Sequence, residues 1–197
     1  MERITVFMDF ANIAAGFTPR DSMSYGQLLE YLGEGRFIID AYAYVPLDPR
    51  NLKGRDWIIE HLQENGWMVM SKIGKIAGDG YKCNVDVEMT IDIMRHAYQV
   101  RPDILILCSG DGDFLPVVRE LRRMGIRTEV AAFHESAARE LKREASGFIL
   151  LDQWLNEMGG GQVVETAGSD AQSSDKGGDE TSPRHCPALP LPSASAY

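Results

Sequence analysis

The fold is decided by the stretch Ile104-Leu105-Ile106-Leu107-Cys108-Ser109-Gly110-Asp111-Gly112-Asp113-Phe114. Its first half is an apolar run bounded by turn residues, which is typical of a parallel strand buried on both faces. The run stops at Asp111 and Asp113, so two carboxylates follow the carboxyl end of this strand. In open α/β sheets that edge binds ligands, and capping the next helix needs only one aspartate. The pair therefore predicts a functional site.

A second strand delivers an aspartate in the same way, because the apolar run at 3–8 leads into Asp9-Phe10-Ala11-Asn12. Strand patterns also occur at 37–45, 67–73, 127–133 and 148–151, and helical patterns at 25–32, 51–64, 86–101, 115–124 and 135–145. Strands that alternate with helices imply right-handed crossovers and a mostly parallel sheet with helices on both faces. The sequence therefore predicts an α/β fold.

Several boundaries are predicted from local signals. Pro46 and Pro49 are expected to end the second strand, and Asn51 is expected to begin the next helix. The glycine-rich segment 74–84 predicts a mobile basic loop near the aspartates, and Trp154 is expected to dock in a closing turn.

Composition indicates one domain and a tail. The chain has 197 residues, is 44% hydrophobic and carries a net charge of -9, which argues against non-specific DNA coating. Residues 1–158 form the expected domain, and residues 159–197 are expected to be a disordered tail rich in Gly, Ser, Asp and Pro. Three scattered cysteines and no apolar stretch long enough for a signal peptide or membrane span predict a cytoplasmic protein.

The usual order of crossovers places the first strand beside the strand at Ile104, so Asp9 and Asp111 flank the switch point. Asp86 begins a helix at the same edge and joins them. Several carboxylates this close repel one another unless a cation lies between them. Because the ligands are hard oxygen atoms, Mg²⁺ or Mn²⁺ is predicted, and such a site can promote phosphodiester hydrolysis.

Three motifs in register resemble the NYN domain, in its LabA-like branch of the PIN-like ribonucleases. They are Met8-Asp9-Phe10-Ala11-Asn12, Val85-Asp86-Val87 followed by Asp92, and Ser109-Gly110-Asp111-Gly112-Asp113-Phe114. The resemblance spans about residues 1–155 and implies a three-layer α/β/α sandwich. It also implies metal-dependent RNA cleavage, with Asp9, Asp86, Asp111 and Asp113 as catalytic and metal-binding acids.

Two polar residues match the family pattern beside these acids. Asn12 and Ser109 are expected to orient a phosphate or a water, although a helix cap or a turn bond explains each equally well. Asp92 points about 120° away from Asp86 on an ideal helix, so pairing with Arg95 is the alternative to metal binding. Cys83 and Asn84 depart from the small residues that relatives often carry before Val85.

RNA is the expected partner, and a homo-oligomer is allowed. Basic side chains are expected to guide the RNA to the acidic edge, with Lys72, Lys75 and Lys82 as substrate-positioning residues beside Arg50, Lys53, Arg55 and Arg119. The alternative function is an NYN-fold regulator or RNA-binding protein with little turnover. A haloacid dehalogenase-type phosphatase is disfavoured because Ala11 stands where its second aspartate belongs, and a Rossmann module because no glycine triplet follows the first strand.

Overall fold

The computed structural model of the protein describes residues 1–17 and 24–158, so the predicted tail lies outside the described residues. Its strands are β1 Arg3–Asp9, β2 Phe37–Leu47, β3 Met68–Ile73, β4 Lys75–Ala77, β5 Gly80–Lys82, β6 Ile104–Cys108, β7 Arg127–Ala132 and β8 Gly147–Leu150. Its helices are α1 Phe10–Ala14, α2 Tyr25–Gly33, α3 Asp56–Glu64, α4 Asp86–Gln99, α5 Leu115–Arg123, α6 Arg139–Glu144 and α7 Leu151–Met158.

Six strands form one parallel sheet in the order β3-β2-β1-β6-β7-β8. The chain builds outward from β1 in one direction through β2 and β3, and then returns to the other side of β1 through β6. The predicted order is thus confirmed. The switch point lies between β1 and β6, which is where α/β sheets bind ligands.

The two faces of the sheet carry separate hydrophobic layers. On β1, Ile4, Val6 and Met8 point to one face, where they pack with α1, α2, α3 and α7 in a first core cluster. Phe7 points to the other face and joins α4, α5 and α6 in a second core cluster. Alternating apolar side chains buried on both faces produce the expected three-layer α/β/α sandwich.

The expected end of β2 at Pro46 is wrong, because the strand continues to Leu47. Pairing between β1 and β2 ends where Asp9 lies opposite Tyr44, whereas Pro46 still pairs with Lys72 of β3. The missing N–H of Pro46 therefore faces no β1 partner, and proline is tolerated at such a position.

The expected helix start at Asn51 is also wrong, because α3 begins at Asp56. Residues 48–56 instead form successive turns, in which the amides of Asn51, Gly54 and Asp56 each bond to the carbonyl three residues earlier. The Asp48 side chain accepts from the Arg50 amide at 2.9 Å. This local side-chain bond competes with helix formation and delays the helix by one turn.

The basic loop predicted at 74–84 is a hairpin in which β4 and β5 pair antiparallel. Gly78 turns the chain at φ 60°, a conformation that glycine adopts without strain, and Tyr81 is buried. Near the C-terminus, α6 covers only part of the helix predicted at 135–145, and Trp154 lies in a helix, α7, instead of a turn. None of the helices in the described ranges has the length and apolar character that a membrane span requires.

Candidate metal centre

Asp9 ends β1 and caps α1. Its carboxylate accepts hydrogen bonds from the amides of Ala11 at 3.1 Å and Asn12 at 3.2 Å. The residue is only 6% exposed. Burial raises the pKa of Asp9 to about 6, and the nearby charges of Asp86 and Asp111 contribute to the increase against the opposing amide bonds. The Asp9 carboxylate therefore lies beside two other acids in a largely desolvated place.

Asp111 lies in a tight turn between β6 and a short 3₁₀ segment, Gly112–Phe114, that leads into α5. Its carboxylate accepts from the Asp113 amide at 2.9 Å, while its own amide donates to the Ser109 hydroxyl at 3.2 Å. Both Ser109 and Asp111 are buried. These bonds fix the direction of the Asp111 side chain and bring Asp113 back to the same side of the turn.

Gly110 fastens this turn to two other parts of the chain. Its amide donates to the Asn12 side-chain oxygen at 2.8 Å, and its carbonyl accepts from the Ala138 amide at 2.9 Å. A Cβ atom at this position would lie 2.4 Å from the carbonyl oxygen of Ser136. Glycine is therefore required here, because backbone from the loop after β7 occupies the space of a side chain.

Asp86 is the first residue of α4, and its amide donates to the Asn84 side chain at 3.2 Å. The helix places Asp86 next to the acidic turn, where Asp86, Asp111 and Asp113 offer carboxylate oxygens that all lie within 4.8 Å of one another. Asp9 falls outside this group of three but faces Asp86 and Asp111. The structure thus brings the four predicted acids to one edge of the sheet.

The donor set fits a hard divalent cation. All three grouped ligands are carboxylates whose oxygens lie within 4.8 Å of one another, so one hard cation between them could bind all three. Magnesium and manganese both prefer such oxygen ligands. Asp92 lies elsewhere, because it accepts from the Tyr44 hydroxyl at 2.9 Å and forms an ion pair with Arg95, as the alternative interpretation predicted.

Four of the seven predicted basic residues have specific side-chain partners. Lys72 donates to the Asn84 carbonyl at 2.7 Å and forms an ion pair with Glu88, so it lies next to the start of α4. Lys75 and Lys82 lie opposite each other in the hairpin. Three arginines also have contacts: Arg50 with Asp48 and the Asp79 carbonyl, Arg55 with the Pro46 carbonyl and the Phe10 ring, and Arg119 with Glu144.

Sequence reasoning missed the contacts of Gly110 and Asn12 that lock the acidic turn. The two residues are 98 positions apart, and a glycine before an aspartate is common in any turn. A usable signal is the strand order itself, since placing β1 beside β6 brings Asn12 close to Gly110.

Comparison with known proteins adds three findings. The NYN domain profile matches residues 3–152 of the chain. The "Low amplitude and bright protein LabA" of Synechococcus elongatus is 31% identical over 124 residues, which cover 58% of this chain and 63% of LabA, so the chain spans less than two thirds of this relative's length. The crystal structure of a protein of unknown function from Vibrio parahaemolyticus is similar at a TM-score of 0.64 and 25% identity, covering 77% of this chain and 93% of that one.

Proposed function

The chain belongs to the NYN domain family, and from that premise we propose that it is a metal-dependent ribonuclease that hydrolyses RNA phosphodiester bonds. The observation that carries the proposal is the convergence of Asp86, Asp111 and Asp113, with their oxygens within 4.8 Å, at the switch point of the sheet. Carboxylates at this density repel one another, and folding alone does not explain their placement.

In this proposal Asp86, Asp111 and Asp113 hold Mg²⁺ or Mn²⁺, and Asp9 completes the acidic set. The ion, when bound, supplies a Lewis acid that stabilises the charge developing on the phosphodiester. Asp9 has a pKa of about 6, so its carboxylate is mostly charged at neutral pH and is protonated in mild acid. The amides of Ala11 and Asn12 keep this carboxylate oriented toward its neighbours.

Asn12 and Ser109 have different parts in the proposed mechanism. The Asn12 side-chain oxygen is engaged by Gly110, so its amide nitrogen is the donor that faces a substrate phosphate. Ser109 is buried and its hydroxyl accepts from the Asp111 amide, so it positions the acidic turn. We propose that Asn12 contacts RNA and that Ser109 acts through Asp111.

Lys72, Lys75 and Lys82 are proposed to guide the RNA strand toward the acids. The loop at 48–56 and the segment at 72–82 together hold six basic and three acidic residues, in a chain of net charge -9. Arg50 joins these two segments by donating to the Asp79 carbonyl at 2.7 Å. This local excess of positive charge offsets the repulsion between RNA phosphates and the rest of the protein.

The cleavage assay that tests the proposal uses the full chain with mixed single-stranded RNA in Mg²⁺, in Mn²⁺ and in chelator. Cleavage is expected with either ion and is expected to stop in chelator. Asp111→Asn protein, purified in parallel, controls for contaminating nuclease. RNA that is bound but left intact under every ion would favour the RNA-binding regulator. The absence of both RNA binding and RNA cleavage would contradict both functions.

We also propose that residues 1–158 carry all of the chemistry. The NYN profile ends at residue 152, inside α7. A protein truncated after Met158 is expected to cleave RNA at the rate of the full chain. A large loss of rate at saturating RNA would show that residues 159–197 take part in the reaction.

A further inference from the structure

Helix α4 carries two apolar stripes. Met89, Ile93 and Ala97 are buried in the second core cluster. On the opposite side, Val87, Ile91 and Tyr98 are 57%, 50% and 59% exposed. At 100° per residue these three side chains fall within an arc of about 40°, with the half-buried Met94 beside them. A helix at the surface of a globular protein usually has one such stripe, so the outer stripe needs an explanation.

A second exposed apolar surface lies on the same face of the sheet, beside α4. Met68 pairs in register with Tyr42 and Met70 pairs with Tyr44, whose ring is buried in the second core cluster. Side chains paired in register point to the same face, so both methionines share this face. They remain 40% and 44% exposed. We call this surface the methionine shelf.

Polar contacts place the helix directly next to the methionine shelf. Asp92 of α4 accepts from the hydroxyl of Tyr44, and Glu88 pairs with Lys72 at the end of the shelf. One turn further along α4, the Nε2 atom of His96 lies 3.0 Å from the carboxylate of Asp40 on β2. The outer stripe of α4 and the shelf are therefore neighbouring parts of one surface.

We propose that this surface binds a second copy of the chain through a twofold axis that passes near Ile91. In this arrangement the two α4 helices run antiparallel, and the outer stripe of each copy lies over the methionine shelf of the other. Each copy then supplies a helix layer above the β2–β3 end of its partner's sheet. The contact is isologous, because the same residues serve both sides.

The charges beside the stripe are complementary under this symmetry. A twofold axis between residues 91 and 92 sets position 88 of one helix opposite position 95 of the other. Glu88 of each copy therefore faces Arg95 of the second copy, and the two side chains are 48% and 56% exposed. The axis also brings Ile91 of the two copies close together, because position 91 falls opposite position 92. A parallel arrangement would put like charges together instead.

The area is that of a weak but specific dimer. Five side chains that are 40–59% exposed form the surface, and apolar patches of a few hundred Å² mark interaction sites on soluble proteins. Two facing patches of that size bury on the order of 1,000 Å², which is near the lower limit for a specific interface. We therefore expect association in the micromolar range.

Sedimentation equilibrium of the full chain over the micromolar range tests the proposal. Wild type is expected to pass from monomer to dimer as its concentration rises, and Ile91→Glu is expected to stay monomeric. Ile76→Glu is the matched control, because Ile76 is an isoleucine of similar exposure, 64%, on the β4–β5 hairpin. Far-ultraviolet circular dichroism checks that both variants fold. A monomeric wild type, a dimeric Ile91→Glu, or equal effects of the two variants would each overturn the proposal.

Cross-linking tests the position of the axis. A residue on a twofold axis meets its own copy, so Ile91→Cys is expected to form a disulfide-linked dimer on mild oxidation. Ile76→Cys is not expected to do so. Wild type, which already contains Cys83, Cys108 and Cys186, shows the background of the native thiols. Equal cross-linking at positions 91 and 76 would place the interface elsewhere.

Discussion

The sheet holds buried carboxylates at both ends, and their surroundings are opposite. Toward the amino end, Glu129 of β7 accepts from Arg36 at 2.7 Å and pairs with Arg127 at 3.1 Å. The Arg36 side chain also donates to the carbonyls of Leu32 and Gly33 at the end of α2. At the carboxyl end, Asp9 and Asp111 are equally buried, but Asp9 faces the charges of Asp86 and Asp111.

The difference separates a structural acid from the acids of the candidate metal centre. Glu129 and Arg36 neutralise each other and join α2 to β7, so their burial is explained by the folded chain itself. The acids at the switch point raise each other's electrostatic energy, and a bound cation would relieve it. A buried carboxylate thus neutralises an arginine at one end of the sheet, whereas at the other end buried carboxylates face one another in the candidate metal centre.

The largest expected effect is that of Asp111→Asn, at the carboxyl end of the sheet, on RNA cleavage. Asp111→Asn keeps an oxygen that can accept from the Asp113 amide, so the turn is preserved. Removing the charge is expected to lower the cleavage rate at least a hundredfold, about 3 kcal/mol of transition-state stabilisation. Calorimetry is expected to show weaker Mn²⁺ binding, and the metal-free variant is expected to be at least as stable as wild type, because one repelling charge is removed. Unchanged cleavage and unchanged metal affinity would show that Asp111 does not belong to a metal centre.

The matched change at the other end should act on stability alone. Glu129→Gln leaves the guanidinium of Arg36, whose side chain is 14% exposed, without its counter-charge. We expect a loss of about 3 kcal/mol in the free energy of unfolding, measured by denaturant titration. Asp103→Asn, which alters the exposed pair with Arg3, is the control and should change little. Cleavage per folded molecule should not change.

Asp9→Asn should stabilise the metal-free protein in a pH-dependent way. The pKa of Asp9 rises from 3.8 to about 6 on folding, so the folded state binds the proton more tightly than the unfolded state does. The charged carboxylate therefore destabilises the fold fully above pH 6, and this penalty disappears below about pH 4. At pH 7 the variant is expected to gain about 2 kcal/mol in chelator.

Thermal melting in chelator at pH 7 and pH 4.5 measures this gain, which should be smaller at the lower pH. Saturating Mn²⁺ should reverse the order of the two proteins, because the ion stabilises the form that binds it more tightly. If Asp9→Asn is less stable than wild type in chelator at both pH values, Asp9 is a structural acid like Glu129.

The smallest expected effect concerns the basic side chains near the acids. Replacing Lys72, Lys75 and Lys82 by glutamine should weaken RNA binding roughly tenfold at low salt and flatten its dependence on salt. The change at Lys72 also releases the Glu88 carboxylate that it pairs with. Binding is measured with Asp111→Asn protein as the background. Arg127→Gln, at the opposite end of the sheet, is the control, and an equal loss there would place the RNA elsewhere.

The sequence predicted the parts of the fold that follow from patterns within single segments. Apolar runs located the central strands, and the usual crossover order then placed β1 beside β6. The four acids follow from this order, because each stands at the end of a strand or the start of a helix. Side-chain partners were predictable only where they lie within a few residues, as for Asp92 and Arg95.

Contacts between distant segments could not be read from the sequence. Arg36 and Glu129 are 93 positions apart, and the only local signal is an acid within an otherwise buried strand. The hairpin was missed because its strands have three residues each and surround several glycines. The ion pairs of Lys72 with Glu88 of α4 and of Arg119 with Glu144 of α6 depend on how these helices pack, so neither pair was predicted.

Because β1 lies at the centre of the sheet, the acidic edge joins residues from the first strand to residues about a hundred positions later. During synthesis, Asp9 leaves the ribosome long before Asp111, and sequence-distant pairings of this kind form slowly. A nascent chain therefore cannot assemble the acids until more than half of it has been translated. The strand order therefore sets the stage of synthesis at which the candidate metal centre can form.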